Sequence, residues 1–146
     1  MPDDIVIRET ENIGKGMFAN RDYKKDEIIL FFDGEVVHGD MASFPKDLVD
    51  HMLYLGDNNW VVPQPPWTYL NHSCEPNAGM RNQRELVAFR DIQKGEQICF
   101  DYAMNNTSDW RMECRCGNKN CRKLIGTFGM LDKETQNKYM GYVSDA

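Results

Sequence analysis

The chain has 146 residues, of which 41% are apolar and 27% are charged, so it is long enough for one compact domain and too short for two. Its formal net charge of -6 argues against a protein that binds a nucleic-acid backbone through clustered Lys and Arg side chains. The longest unbroken apolar run, Ile28 to Phe32, is far shorter than the roughly 20 residues that a membrane-spanning helix needs.

Short β-branched and aromatic runs, separated by turn-forming residues, predict a series of strands. In chain order the predicted strands lie at 5–7, 28–32, 35–37, 60–62, 86–89 and 96–102, with turns at 33–34 and 91–95. Leu48, Met52 and Leu55 have the spacing of one helix face, and Pro45 suits the first turn of such a helix. We therefore expect an α+β domain that is mostly β, followed at 132–146 by a helix that is frayed at best.

The five cysteines, Cys74, Cys99, Cys114, Cys116 and Cys121, are an odd number and gather toward the C-terminus. This pattern suits metal ligands in a reducing compartment better than a disulfide framework. The last three form a C-x-C-x4-C pattern, and a structural zinc ion requires a fourth ligand. Cys74 or Cys99 could supply it, and we favour Cys74 because it lies in a turn-rich loop, whereas Cys99 lies within a predicted strand.

Basic side chains surround the cysteine pattern and would offset the negative charge of four thiolates on one zinc ion. They are Arg111, Arg115, Lys119, Arg122 and Lys123, against the single acidic residue Glu113. Free thiols in a flexible tail are the alternative. If zinc is bound, its removal is expected to unfold about the last 35 residues, which hold few apolar side chains.

The segment from Tyr69 to Asn77 combines amides, an imidazole, a hydroxyl and a thiol within a short stretch. Such a density indicates a functional site, although a plain turn rich in Asn, Ser and Pro is the alternative. A protease-like pair of Cys74 and His72 is disfavoured, because a cysteine that binds zinc cannot attack a substrate.

Five segments, in order along the chain, resemble motifs of the SET-domain protein lysine methyltransferases. Asn71 to Asn77 resembles the NHSCxPN motif of this family, and Gly95 to Tyr102 resembles GEELTFDY. Cys114 to Cys121 matches the CxCx4C of the post-SET segment, whose zinc takes its fourth thiolate from the NHSC cysteine. Gly14 to Phe18 is similar to the N-terminal GxG motif, and Phe32 to Glu35 is similar to YxGE.

The resemblance implies the β-clip-like SET fold, with several short sheets, a knot-like C-terminal segment and a zinc-bound post-SET tail. It implies a SET domain at 1–110 with a variable insert at about 38–66, a post-SET zinc segment at 111–131 and a C-terminal tail at 132–146. The implied ligands of the structural zinc ion are Cys74, Cys114, Cys116 and Cys121.

The same resemblance implies transfer of a methyl group from S-adenosylmethionine to the ε-nitrogen of a lysine. Tyr102 matches the catalytic tyrosine, and Tyr69 matches an aromatic residue of the lysine channel. Phe100 matches the Phe/Tyr switch position of the family, and phenylalanine there implies di- or trimethylation. The residues that match cofactor-binding positions are Gly14, Lys15, Gly16, Met17, Asn71, His72, Tyr102 and Leu124.

Three residues depart from the family pattern. Phe32 replaces the tyrosine of YxGE, Thr68 stands where many members have arginine, and Lys123 stands where they have glycine. These departures bear on the expected cofactor contacts more than on the expected reaction.

The charge is unevenly distributed, with a net -7 over residues 1–60 and +3 over residues 111–146. The acidic part suits a basic, lysine-containing protein substrate such as a histone, with no membrane partner and no direct nucleic-acid partner. Because residues 1–4 lack the basic and apolar regions of a secretory signal, we expect an intracellular protein, in the nucleus on chromatin or in the cytoplasm; export as an effector stays open. The sequence gives no oligomeric state.

Two functions of other classes are the alternatives to a methyltransferase. One is a zinc-stapled binding module that has the SET fold without turnover. The other is a zinc-dependent nucleic-acid binder that uses the basic tail, which the negative net charge of the whole chain disfavours.

Overall fold

The computed structural model describes residues 4–10, 14–45, 48, 52–62, 64–65, 67–82, 84–105, 112–114, 119, 121–126 and 128–143. Its strands are β1 (Ile5–Glu9), β2 (Lys15–Ala19), β3 (Ile28–Phe31), β4 (Val36–His38), β5 (Leu53–Gly56), β6 (Asn59–Val61), β7 (Asn71–His72), β8 (Ala78–Arg81), β9 (Glu85–Ala88), β10 (Gln97–Phe100), β11 (Met112–Glu113) and β12 (Leu124–Ile125). Its 3-10 helices are η1 (Met41–Ser43), η2 (Trp67–Tyr69), η3 (Tyr102–Met104) and η4 (Phe128–Met130), and its α-helix is α1 (Lys133–Lys138).

These strands form three sheets. The largest has the order β1-β2-β10-β8-β9-β3, with β7 also paired to β10; the others are β4-β6-β5 and β11-β12. Most pairs are antiparallel, but both β7 and β8 run parallel to β10. The core fills the space between the sheets, and its most deeply buried side chains include Met17, Met80, Leu86, Trp60 and Ile98.

The expectation of a mostly β, α+β domain is confirmed, and β1, β3, β4, β6, β9 and β10 lie where strands are predicted. The sequence analysis missed β2, because its Gly16 and the preceding Gly14 favour a loop. In the structure β2 is a fully paired strand between β1 and β10, with Met17 opposite both Ile7 and Ile98.

The predicted helix through Leu48, Met52 and Leu55 is only partly correct. The N–H of Met52 donates to the carbonyl of Leu48 over 3.1 Å, which is one helical turn. Leu55, however, lies in β5, because this segment pairs with β6 rather than continuing the turn. None of the described helices is both long and apolar enough to cross a membrane.

The C-terminal segment, residues 128–143, is held against the core more firmly than the sequence suggests. Asp132 is the N-cap of helix α1, and its side chain accepts a hydrogen bond from the N–H of Thr135. After the helix, the buried rings of Tyr139 and Tyr142 contact Phe89 edge-on, with ring centroids 5.7 and 4.7 Å away. Aromatic packing of this kind gives the segment an attachment of its own.

A substitution at Gly79 tests this packing. A Cβ at position 79 would lie 2.7 Å from the Cβ of Tyr142, so the substitution Gly79→Ala must displace the C-terminal segment. We expect it to lower the free energy of unfolding by about 1–3 kcal/mol, as measured by denaturant titration. Gly129→Ala is the matched control, because an added Cβ there has no neighbour within 4 Å. Equal stability of the two variants would contradict this packing.

Candidate active site and cysteine cluster

The parallel pairing of β7 with β10 brings two of the sequence motifs together. Asn71 lies opposite Cys99, and His72 lies opposite Phe100. The N–H of Cys99 also donates to the side chain of Asn77 over 2.9 Å, which ties the loop after β7 to β10. The polar loop and the end of β10 therefore form one surface, although they are separated by more than twenty residues in the chain.

Tyr102 lies two residues after the end of β10, and hydrogen bonds hold both its side chain and its backbone. Its hydroxyl donates to the carbonyl of Leu70 over 2.7 Å, and its backbone N–H donates to Nδ1 of His72 over 3.0 Å. Its buried ring lies between those of His72 and Phe100, with centroids 5.2 and 5.1 Å away.

The neutral form of His72 follows from its surroundings. Burial lowers its pKa to about 4, although the charge of Asp101 opposes that shift, so the ring is uncharged near pH 7. Nδ1 accepts from Tyr102, and the ring proton is therefore on Nε2, which lies 3.3 Å from Sγ of Cys74. The 3.6 Å approach of Nδ1 to Asp101 is accordingly not an ion pair.

The predicted cofactor residues of the GxG motif lie beside Asn71. The side-chain amide of Asn71 donates to the carbonyl of Lys15 and to Oε1 of Gln97, over 3.0 and 3.1 Å. Gly16 packs so closely that a Cβ there would lie 2.6 Å from Oε1 of Gln97. Met17 is fully buried in the core, so its side chain packs inside the protein.

The remaining predicted site residues are more scattered. Gly14 takes a positive φ of 77° at the bend before β2, a conformation that glycine adopts without strain. The ring of Tyr69 lies near the ammonium group of Lys15, which is 5.9 Å from its centroid. Leu124, in β12, is an exposed apolar side chain and pairs in register with Glu113.

Cys114 lies between two other predicted zinc ligands. Its Sγ is 3.7 Å from Sγ of Cys74 and 3.5 Å from Sγ of Cys121. Sulfurs around a tetrahedral zinc ion with bonds near 2.3 Å are about 3.8 Å apart, so each of these two distances and the soft thiol donors fit zinc. Cys116 lies outside the described residues. Cys99, the rejected candidate, lies within β10.

His72 also lies within reach of this cluster, since single ligand atoms of His72, Cys74 and Cys114 are all within 4.8 Å of one another. Because Nε2 carries the ring proton, His72 donates toward the sulfur of Cys74 rather than offering a lone pair to a metal. Its position is that of a hydrogen-bond donor to a ligand.

A buried ion pair that the sequence analysis did not single out links the cluster to Tyr102. The guanidinium of Arg122 donates two hydrogen bonds of 2.7 Å to the carboxylate of Asp101, which is completely buried. The hydroxyl of Tyr139 donates to the same carboxylate over 2.8 Å. The N–H of Arg122 lies 3.4 Å from Sγ of Cys74. The FDY pattern was the available signal for Asp101, whereas no local pattern marks Tyr139.

A cavity of about 830 Å³ lies on another side of the cluster, between α1 and the core. Its walls include Cys74, Arg122 and Tyr139 together with charged side chains such as Arg90 and Glu134. Tyr69, Asn71 and Tyr102 are not among its lining residues. This cavity is therefore not the predicted lysine channel, despite its size.

Known proteins resemble this chain over most of its length. A family model described as SET domain matches residues 14–103. An H3 lysine-36 specific histone-lysine N-methyltransferase of Debaryomyces hansenii is 30% identical over 141 residues, which is 84% of this chain and 19% of that protein. Histone-lysine N-methyltransferase 2D of Homo sapiens is 25% identical over 138 residues, which is 83% of this chain and 2% of that protein. The chain thus spans about a fifth or less of the length of these curated relatives.

A solved structure gives the same comparison in three dimensions. The crystal structure of a Plasmodium falciparum protein, named as a candidate histone methyltransferase, matches with a TM-score of 0.53 and 28% identity. The match covers 70% of this chain and 95% of that one.

Proposed function

This chain belongs to the SET-domain family, and from that membership we propose that it is an S-adenosylmethionine-dependent protein-lysine N-methyltransferase. The observation that carries the proposal is the fixed position of Tyr102, whose buried hydroxyl is bound to the carbonyl of Leu70 beside the ring of Phe100. A hydroxyl held in one position next to an apolar ring suits the orientation of a reacting amine.

The chemical problem for such an enzyme is the charge of its substrate. A free lysine has a pKa near 10.4, and removal of its proton at pH 7 costs about 4 to 5 kcal/mol. An amine beside the buried rings of Phe100 and Tyr102 would lose water, and desolvation lowers the pKa of an amine. S-adenosylmethionine, when bound, supplies a methyl group on a positively charged sulfur. The chain supplies the alignment of the amine.

The cofactor would be held by residues of two motifs, the GxG motif at the start of β2 and the polar motif that begins with β7. We propose that Gly14, Lys15, Gly16 and Met17 contact it at the bend before β2 and at the start of that strand, where a Cβ at position 16 would lie 2.6 Å from the side chain of Gln97. Asn71 links these two motifs, because its side-chain amide donates a hydrogen bond to the carbonyl of Lys15. His72 and Tyr102 complete this set, and the exposed apolar side chain of Leu124 is available to cover an adenine ring.

A basic protein, such as a histone, is the proposed substrate. The first sixty residues carry a net -7, which attracts a Lys- and Arg-rich segment. The relative from Debaryomyces hansenii is specific for lysine 36 of histone H3, so histone H3 belongs in the first substrate panel. Action on a histone requires access to chromatin.

The division of the chain is part of the proposal. Residues 1–110 would form the SET domain, with the sheet β4-β6-β5 largely in the insert at about 38–66. Residues 111–131 would form the zinc segment. Residues 132–146 would be the C-terminal tail, of which the described part is packed on the core.

The test of the reaction is transfer of labelled methyl from S-adenosylmethionine to histones and other basic proteins. Tyr102→Phe should reduce the rate about a hundredfold, as is typical when a positioned polar group is removed from an active site. Cofactor binding should persist, because the variant keeps the aromatic ring at position 102 and removes only the hydroxyl. Tyr23→Phe is the matched control, since Tyr23 is also buried and its hydroxyl also donates to a backbone carbonyl, that of Asp4. Cofactor binding without transfer by the unmodified chain would favour the binding module instead.

The product of the reaction is predicted to be di- or trimethyl-lysine. Phe100→Tyr adds a hydroxyl beside the ring of Tyr102, where it would occupy or hydrate the space that a methylated amine needs. We expect the product to shift toward monomethyl-lysine, as measured by mass spectrometry of a substrate peptide. Phe31→Tyr, on an exposed ring of the edge strand β3, should leave the product ratio unchanged. An unaltered ratio in Phe100→Tyr would remove this role from Phe100.

Zinc binding by Cys74, Cys114, Cys116 and Cys121 is the structural part of the proposal. Purified protein should contain one zinc ion per chain by elemental analysis, and Cys74→Ser should lose it. Cys99→Ser should retain it, because Cys99 lies in β10. Chelation should increase hydrogen exchange at 112–126 while Tyr139 and Tyr142 remain protected by their packing on Phe89. A zinc-free native protein, or equal zinc loss in both variants, would contradict this ligand set.

A further inference from the structure

The carboxylate of Asp101 accepts four hydrogen bonds although it has no contact with solvent. One oxygen, Oδ1, accepts from Nη2 of Arg122 over 2.7 Å and from the N–H of Ala103 over 3.0 Å. The other, Oδ2, accepts from Nη1 of Arg122 over 2.7 Å and from the hydroxyl of Tyr139 over 2.8 Å. A buried charge requires such partners, since each missing one leaves part of the charge unsatisfied.

This carboxylate controls the turn that carries Tyr102. Asp101 is the N-cap of η3, and its side chain accepts from Ala103 while its carbonyl accepts from the N–H of Met104. Rotation of the Asp101 side chain would therefore release the Ala103 amide and loosen the turn. The orientation of the carboxylate fixes the backbone on the C-terminal side of Tyr102, just as His72 fixes its N–H.

Tyr139 reaches this carboxylate from far along the chain. It follows α1, thirty-eight residues after Asp101, and is itself buried. Burial and the neighbouring carboxylate raise its pKa above the ordinary value, so its hydroxyl stays protonated and remains a donor. Arg122 fixes the plane of the carboxylate through two parallel hydrogen bonds. Tyr139 donates a further hydrogen bond to Oδ2.

We propose that Tyr139 is a positioning residue for the methyl transfer, whose hydroxyl holds the Asp101 carboxylate and, through it, the turn that aims Tyr102. The C-terminal segment is thus a support of the active site as well as a packing element. This inference rests on the proposed methyltransferase function, but the hydrogen bond that it invokes can be tested without activity.

The experiment compares Tyr139→Phe with Tyr142→Phe. Both changes remove one hydroxyl from neighbouring tyrosines of the same segment and keep the ring packing on Phe89. The hydroxyl of Tyr142 donates to Asp26, an exposed carboxylate that also binds Arg81. Tyr142→Phe therefore has a similar change in packing and hydrogen bonding without contact to Asp101.

Three quantities are measured for both variants: kcat and KM for methyl transfer, the Kd of S-adenosylmethionine, and the hydrogen exchange of the Ala103 amide. In Tyr139→Phe we expect kcat to fall about tenfold, in keeping with the loss of a hydrogen bond to a charged group. The cofactor Kd should stay within about twofold, and the Ala103 amide should exchange about tenfold faster. Tyr142→Phe should resemble the unmodified protein in all three.

The outcomes separate this inference from the proposed function. Unchanged kcat and unchanged Ala103 exchange in Tyr139→Phe would overturn the positioning role. A parallel loss of cofactor affinity and kcat, equal in both variants, would also overturn it, because it would indicate a loosened segment. If the unmodified protein transfers no methyl group, the proposed function is wrong, and faster exchange of Ala103 in Tyr139→Phe alone then decides whether Tyr139 holds the turn.

Discussion

The site depends on one buried carboxylate. Removal of Asp101 from water costs several kcal/mol, and only its four hydrogen bonds make that position tolerable. A buried ion pair of this kind is weak evidence for stability, because a well-packed apolar pair is often as favourable. Its effect here is to fix geometry. The two hydrogen bonds from Arg122 hold the carboxylate in one plane. In that orientation the carboxylate accepts from the N–H of Ala103, in the turn that contains Tyr102.

The same constraint extends to the sulfur cluster through His72 and Arg122. His72 accepts from the N–H of Tyr102 with one nitrogen and donates toward Cys74 with the other. Arg122 follows Cys121 and places its N–H 3.4 Å from the same sulfur while its guanidinium binds Asp101. The sulfur of Cys74 thus receives two N–H groups, which would stabilise a thiolate. Displacement of this sulfur would disturb both residues that hold the turn of Tyr102.

Local patterns were sufficient for six of the strands, and they were insufficient where contacts between distant residues determine the structure. The run Ile28 to Phe32 is a strand because its residues favour one and because β9 is available as a partner. Leu55 has helical spacing from Met52, yet β6 draws it into a sheet. Tyr139 and Tyr142 lie in a polar segment, and their burial follows from Phe89 and Gly79, which lie fifty or more residues earlier. Periodicity cannot report such contacts.

The packing of the C-terminal segment also changes the physical role expected of zinc. The composition predicts that about the last 35 residues depend on the metal for their ordered structure. In the structure the described part of this segment has a second attachment, in which Leu131, Tyr139 and Tyr142 bury apolar surface and Met80 donates a backbone hydrogen bond to Tyr142. Burial of a large side chain contributes about 1.5 to 3 kcal/mol, which is enough to hold a short segment once the core is formed. The cysteine cluster is then needed to hold only the stretch before this packed segment. That stretch includes Arg122, whose guanidinium binds the Asp101 carboxylate beside Tyr102.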